Sequence, residues 1–194
     1  APMVPWDTWG RGRFLRLERA AHLSFFQVLR KSAPGVELAH IRQVVEFGGG
    51  TGDVAAMLFD WGYTGTHFVY DLPPMLFVQR YFLRLAGVPA YLGWSLLDSA
   101  DAVRGKIVLE SSVNSTLDGH LDRTLVRDSL FLGTYSFTEA DIVSREKIRP
   151  LIKDFGLILL AFWEKFEGID NNRYLQQFVE NDLMVSHHVL CWRP

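Results

Sequence analysis

The sequence has a single cysteine, Cys191, among 194 residues, which excludes an intrachain disulfide framework and any zinc centre built on several thiolates. It has no excess of charge. Twenty basic against twenty-two acidic residues give a formal net charge of −2, so global electrostatics supply no drive toward nucleic acid or an anionic membrane. No apolar run approaches the roughly 20 residues that span a bilayer. The opening Ala1-Pro2-Met3-Val4-Pro5 lacks the charged region and apolar stretch of a signal peptide. No internal repeat, low-complexity tract or Gly/Ser linker divides the chain. These absences lead to the expectation of a soluble, cytoplasmic, single-domain protein, with an N-terminal arm and helix over 1–40 ahead of the main body, 41–194. Position 1 is not Met, so a processed chain or a piece of a larger one is expected, and a homo-oligomer is equally open.

What is present reads as alternating strands and helices. Phe14, Leu17, Ala21, Phe25 and Val28 step by three or four, the spacing of one helix face; Arg11, Arg13, Arg16 and Arg19 make its start basic and read as a solvated face. Gln43 to Phe47 is a short apolar run that stops at Gly48-Gly49-Gly50-Thr51-Gly52. A buried helix follows over Val54 to Trp61, then a second β-rich run from Thr66 to Tyr70. Pro74 and Gly87 bracket a helix, Met75 to Ala86. Further strands are expected at Ala90 to Trp94, Lys106 to Glu110, Leu130 to Tyr135, Leu157 to Trp163 and Met184 to Trp192. Thr138 followed by Asp141 marks a helix start ahead of Ile142, a helix that Pro150 should kink or divide. Asn171 to Asp182 reads as the last helix. Strands alternating with helices mean an α/β fold with a mainly parallel sheet of about six or seven strands and helices on both faces.

A strand, a glycine-rich turn, a helix and an acid ending the next strand describe a nucleotide-binding βαβ unit. The glycines let backbone approach a ligand closely, and Asp71 stands where a carboxylate can accept from both ribose hydroxyls. Two cofactors fit this frame. Gly50-x-Gly52-x-x-Ala55 matches the dinucleotide pattern, whereas Gly48-x-Gly50-x-Gly52, preceded by Glu46, matches an S-adenosylmethionine loop. Glu46 favours the second, because a carboxylate repels a pyrophosphate and attracts the ammonium of a methionine moiety.

At these residues the chain resembles a known family. Val45 to Gly52 is similar to the first motif of class I S-adenosylmethionine-dependent methyltransferases. Tyr70-Asp71-Leu72-Pro73, followed by Gln79, Tyr81 and Leu83, resembles one narrower group, the bacterial sugar O-methyltransferases. Leu130 to Glu139 is similar to that group's fourth-strand segment, which usually reads Asn-Thr-Phe-Ser-Phe-x-Glu-Met; this chain departs from it at Gly133 and Ala140. The resemblance covers about residues 43 to 140. It implies a seven-stranded Rossmann-like sheet that closes with an antiparallel pair, and the cofactor S-adenosylmethionine over the carboxyl ends of the first strands. It also implies transfer of a methyl group to a hydroxyl, that of a sugar or glycan. Only one strand candidate follows Trp163 where that fold closes with two.

Cofactor contacts are therefore expected from Glu46, Gly48, Gly49, Gly50, Thr51, Gly52, Asp71 and Leu72. Trp94 is expected on the adenine side, with Ser111 and Ser112 competing for that place if Lys106 to Glu110 is the third strand. Methyl transfer needs a nucleophile and a methyl carbon aligned near 3 Å apart, and a base within hydrogen-bond reach of the attacking hydroxyl. Glu139 is the first candidate base, His120 and His187 the others. His188 neighbours His187 on a presumed strand and so points to the opposite face. Tyr135 and Ser136 are candidates for the acceptor side; Trp163, like Tyr135, is a ring placed to stack on adenine or a sugar, or to serve the core. Asp118, Glu139 and Asp141 are acids that a magnesium could use, but their spacing requires none, and no metal is assigned. Two other classes stay open: a nicotinamide-dependent oxidoreductase using Gly50, Gly52 and Ala55, and a non-catalytic module of a larger protein.

Overall fold

The computed structural model describes residues 17–93, 103–111, 123–182 and 189–192. In chain order its elements are α1 (Leu17–Ser32), β1 (Gln43–Phe47), α2 (Asp53–Asp60), β2 (Thr66–Tyr70), α3 (Pro73–Leu85), β3 (Ala90–Leu92), β4 (Ile107–Glu110), β5 (Ser129–Thr134), α4 (Ser136–Glu139), α5 (Ile142–Ile152) and β6 (Leu157–Ala161). They continue with β7 (Lys165–Phe166), β8 (Ile169–Asp170), α6 (Asn171–Asp182) and β9 (Val189–Trp192). Seven strands form one sheet in the order β3-β4-β2-β1-β5-β6-β9, and every pairing in it is parallel.

The near-continuous apolar runs of β5 and β6 follow from this arrangement, because a parallel strand is covered on both faces. Val45, Phe68, Phe131 and Ile158 pack against Phe137, Ile148, Tyr174 and Phe178 of α4, α5 and α6. On the opposite face Val44, Leu130 and Leu159 meet Phe25 and Leu29 of α1 and Val54 and Leu58 of α2. Val69, Ile107 and Leu109 meet Ala55 of α2 and Leu76 and Leu83 of α3. Helices thus cover both faces of a Rossmann-like α/β fold. Strand order runs outward from β1 in both directions, which opens a crevice between the carboxyl ends of β1 and β5, the usual ligand position in such sheets.

Several expectations are corrected. The last described strand, β9, pairs parallel with β6, so the antiparallel closing strand implied by the resemblance is not found among the described residues. The one antiparallel pairing there is the separate hairpin β7–β8, which the sequence reading did not include. Its turn residues Glu167 and Gly168 have φ of 47° and 82°, the pair of positive values that a tight two-residue hairpin needs. Pro150 does not divide α5, which runs unbroken over Ile142–Ile152 with the proline in its last turn, where little helix remains to be broken. The cap of α5 is Asp141, whose side chain accepts from the Ser144 N–H; Thr138 belongs to the preceding short helix α4. No helix among the described residues is long and apolar enough to cross a membrane.

Candidate functional site

The loop after β1 holds its shape through its glycines. Gly48, Gly50 and Gly52 have φ of 75°, 54° and 84°, values that residues with a Cβ adopt only at a cost. The Gly48 N–H donates to the Tyr70 carbonyl (2.7 Å) and the Gly52 N–H to the Gly49 carbonyl (2.8 Å). Space is as limiting as dihedral angle: a Cβ on Gly48 would lie 2.2 Å from the Ser136 Cβ, and one on Gly49 2.3 Å from Val69 Cγ1. The Ser136 hydroxyl donates to the Phe47 carbonyl and, at 3.3 Å, approaches the Gly48 carbonyl. Ser136 therefore joins the two walls of the crevice.

Asp71 follows β2 and bridges to the same loop. Its carboxylate accepts from the Leu72 N–H (2.8 Å) and from Gln79 Nε2 (2.7 Å), and the Gly50 N–H lies near enough to favour its charged form. Burial pushes its pKa above the ordinary carboxylate value; these hydrogen bonds oppose the shift and the charge of Glu46 adds to it. Gln79 is fully buried, and its Oε1 has no hydrogen-bond partner. Beyond Asp71, Leu72 presents a side chain 70% exposed at the start of α3. Thr51 donates its hydroxyl to Asp53 Oδ2 (2.9 Å), in the first turn of α2. Three carboxylates, of Glu46, Asp53 and Asp71, thus flank the glycine loop.

Glu46 is 1% exposed and turned toward His67 on β2, with Oε2 3.0 Å from Nε2. That contact lies off the line of a ring N–H, so neither atom gains a hydrogen bond from it. The register Val44↔His67 is what puts His67 on the face of Glu46. His67 escaped the sequence reading because that register cannot be seen in one strand alone.

Across the crevice, Tyr135 takes φ 69° and ψ −49° between β5 and α4, an uncommon conformation for a residue with a side chain. Its N–H donates to the Ala161 carbonyl (2.6 Å). Its ring stacks on Trp163, with centroids 5.0 Å apart and planes 26° apart, and meets the edge of Phe25. Burial, then the charge of Glu139, raises the Tyr135 pKa. Trp163 is 42% exposed, and its indole N–H donates to Glu139 Oε1 (3.0 Å). Glu139 is exposed at the end of α4. Asp141 is committed to capping, accepting from the Ser144 N–H and hydroxyl, which hold its pKa below the usual range.

The fold thus gathers Gly48, Gly49, Gly50, Thr51, Gly52, Asp71, Leu72, Tyr135, Ser136, Glu139 and Trp163 along the carboxyl edge of β1, β2, β5 and β6. Trp94, Ser112, Asp118, His120, His187 and His188 lie outside the described residues. Ser111 is exposed directly after β4, and Cys191 lies on β9. No group of three or more potential metal ligands occurs among the described residues. The sequence matches no protein-family model, and no curated protein is significantly similar to it.

Proposed function

We propose that this chain binds S-adenosylmethionine in the crevice and transfers its methyl group to a hydroxyl, that of a sugar or glycan by the motif resemblance. One observation carries the reading: the glycine loop is flanked by three carboxylates, Glu46, Asp53 and Asp71. That field opposes a pyrophosphate and favours a ligand bearing an ammonium and a sulfonium. The residues fit such a ligand in a second way. Gly48, Gly49 and Gly52 leave little or no room for a Cβ, so backbone itself lines the loop there, and Gln79 and Glu46 keep buried oxygens without hydrogen bonds.

When bound, S-adenosylmethionine supplies an electrophilic methyl carbon. Asp71 would accept from a ribose hydroxyl, with acceptor capacity left beside the Leu72 and Gln79 donors. Gly48 to Gly52 would bring backbone against the methionine portion, and the Glu46 carboxylate, buried against His67, would add negative charge at that strand end. Glu139 takes the proton of the acceptor hydroxyl, a role worth about 10²–10⁴-fold in rate for a well-placed base. The exposed face of Trp163 gives that acceptor a surface to stack on.

Calorimetric titration of the chain with S-adenosylmethionine, S-adenosylhomocysteine and NAD tests the reading. Micromolar binding of the first two without NAD is expected. Binding of NAD alone would make the protein an oxidoreductase, and silence from all three would leave a non-catalytic module.

A further inference from the structure

Helices α5 and α6 carry two buried polar residues that the transfer scheme does not use, Arg145 and Asn171, both 0% exposed. A buried guanidinium is ordinarily paired with a carboxylate. Arg145 makes no such pair among the described residues. Its Nε donates to the Ala140 carbonyl (2.7 Å), one terminal nitrogen donates to the Thr138 carbonyl, and the other donates to Asn171 Oδ1 (2.6 Å). Those two carbonyls are the ones on either side of Glu139. Asn171 extends the chain of contacts: its side-chain amide donates to the Trp163 carbonyl (2.8 Å) and its backbone N–H to the Glu164 carbonyl (2.9 Å). Because the Trp163 indole donates to Glu139, the hydrogen bonds form a closed ring, from Glu139 through Trp163, Asn171 and Arg145 back to the peptide groups around Glu139.

We propose that Arg145 and Asn171 are positioning residues that hold the loop after β5 and the loop after β6 in register, so that Glu139 and Trp163 face the acceptor as one preformed unit. This rests on the reading of Glu139 as the acceptor-side base. An apolar core satisfies a fold at least as well as a buried cation does, so a guanidinium whose hydrogen bonds all go to the loop after β5 and to the amide that joins it to the loop after β6 serves geometry. The planar guanidinium fork fixes the directions of its donors toward three separate acceptors, which a compact ammonium on a flexible stem does not. Tyr135, the titratable neighbour whose charge couples to Glu139, stays neutral through the range in which a carboxylate ionises.

The test follows the Trp163 indole N–H by nitrogen-15 NMR, with the resonance assigned by its absence in Trp163→Phe. In the unaltered chain it is expected to move with pH through its contact with the Glu139 carboxylate, and Glu139→Gln should abolish that movement. Arg145→Met and Asn171→Asp should abolish it too, while the amide spectrum elsewhere stays dispersed. Asn171→Asp is the sharper variant, since it retains an acceptor for Arg145 and removes the donor to Trp163. Arg145→Lys, a point donor, should restore the movement only in part. An indole titration that persists in folded Arg145→Met, or in Asn171→Asp should the first variant not fold, overturns the proposal. Calorimetry on the same variants separates the two readings: S-adenosylmethionine affinity should be unchanged by either substitution. Its absence in the unaltered chain would sink the cofactor reading and leave the NMR result standing.

Discussion

The two walls of the crevice handle most of their buried polarity in opposite ways; the Tyr174 hydroxyl on α6, buried without a partner, is the exception. On the wall built by β1, β2 and α3, oxygens and nitrogens of Glu46, His67 and Gln79 are buried without hydrogen-bond partners. On the wall built by β5, β6, α5 and α6, the bonds of Arg145 and Asn171 close on one another. Native proteins leave few buried polar groups unsatisfied. Under the proposed function, the spare capacity of Glu46 and Gln79 belongs to the wall that would take the ligand, and the closed ring of Arg145 and Asn171 to the wall that holds a shape. The difference also separates the two kinds of residue around a site: those that would touch the cofactor, and those that set where a neighbour stands.

The largest expected effect on this contrast is in stability. Arg145→Met strands the Thr138 and Ala140 carbonyls and the Asn171 amide, and should cost on the order of 4 kcal/mol in urea unfolding. Gln79→Leu, on the open wall, removes an amide that makes one bond of the several it can make, and should cost about 1 kcal/mol. Its main consequence should be weaker cofactor binding, through a less firmly held Asp71. Equal losses of stability would erase the distinction between the walls. Next is Gly48→Ala, where a Cβ would collide with Ser136 in a left-handed conformation. A loss of about 2–3 kcal/mol is expected by thermal or urea unfolding, and a change below half a kcal/mol would show that the walls separate freely.

A finer test uses pH. Because burial raises the Asp71 pKa above its ordinary 3.8, the folded chain keeps a proton there that the unfolded chain has already lost. Stability of the ligand-free fold should therefore fall as pH rises from about 3.8 through the raised value, and Asp71→Asn should flatten that segment. Affinity for S-adenosylmethionine requires the carboxylate and should rise through the same window. Urea midpoints and calorimetry against pH measure the two slopes, and slopes of the same sign would remove Asp71 from the site.

Much of the open wall was legible in the sequence. β1, β2 and α6 lie where their apolar spacing placed them, and the loop glycines stand out because Gly48, Gly50 and Gly52 take left-handed dihedral angles and Gly49 has no space for a Cβ. Asp71 was readable from its distance beyond the loop. Gln79, which steadies it, entered only through a motif resemblance, since the contact depends on how α3 packs. The closed wall was far less visible. Arg145 sits in a helix where a charged residue ordinarily reads as solvated, and nothing local shows that its guanidinium is buried. His67 needed the pairing of two strands to be seen beside Glu46. The parallel attachment of β9 is a property of the connection before it, which one sequence does not specify.

Because β1 lies in the middle of the sheet, the order of synthesis matters. β2, β3 and β4 all precede Ser129 in the chain, so the glycine-loop half is complete before the strand that covers the other side of β1 leaves the ribosome. Gln43 must wait 86 residues for Ser129, with which it ends up hydrogen-bonded. During that interval β1 presents a bare edge of unpaired peptide groups. A ribosome pausing between Glu110 and Ser129 would hold the chain at its most aggregation-prone stage, and chaperone dependence is expected to peak there.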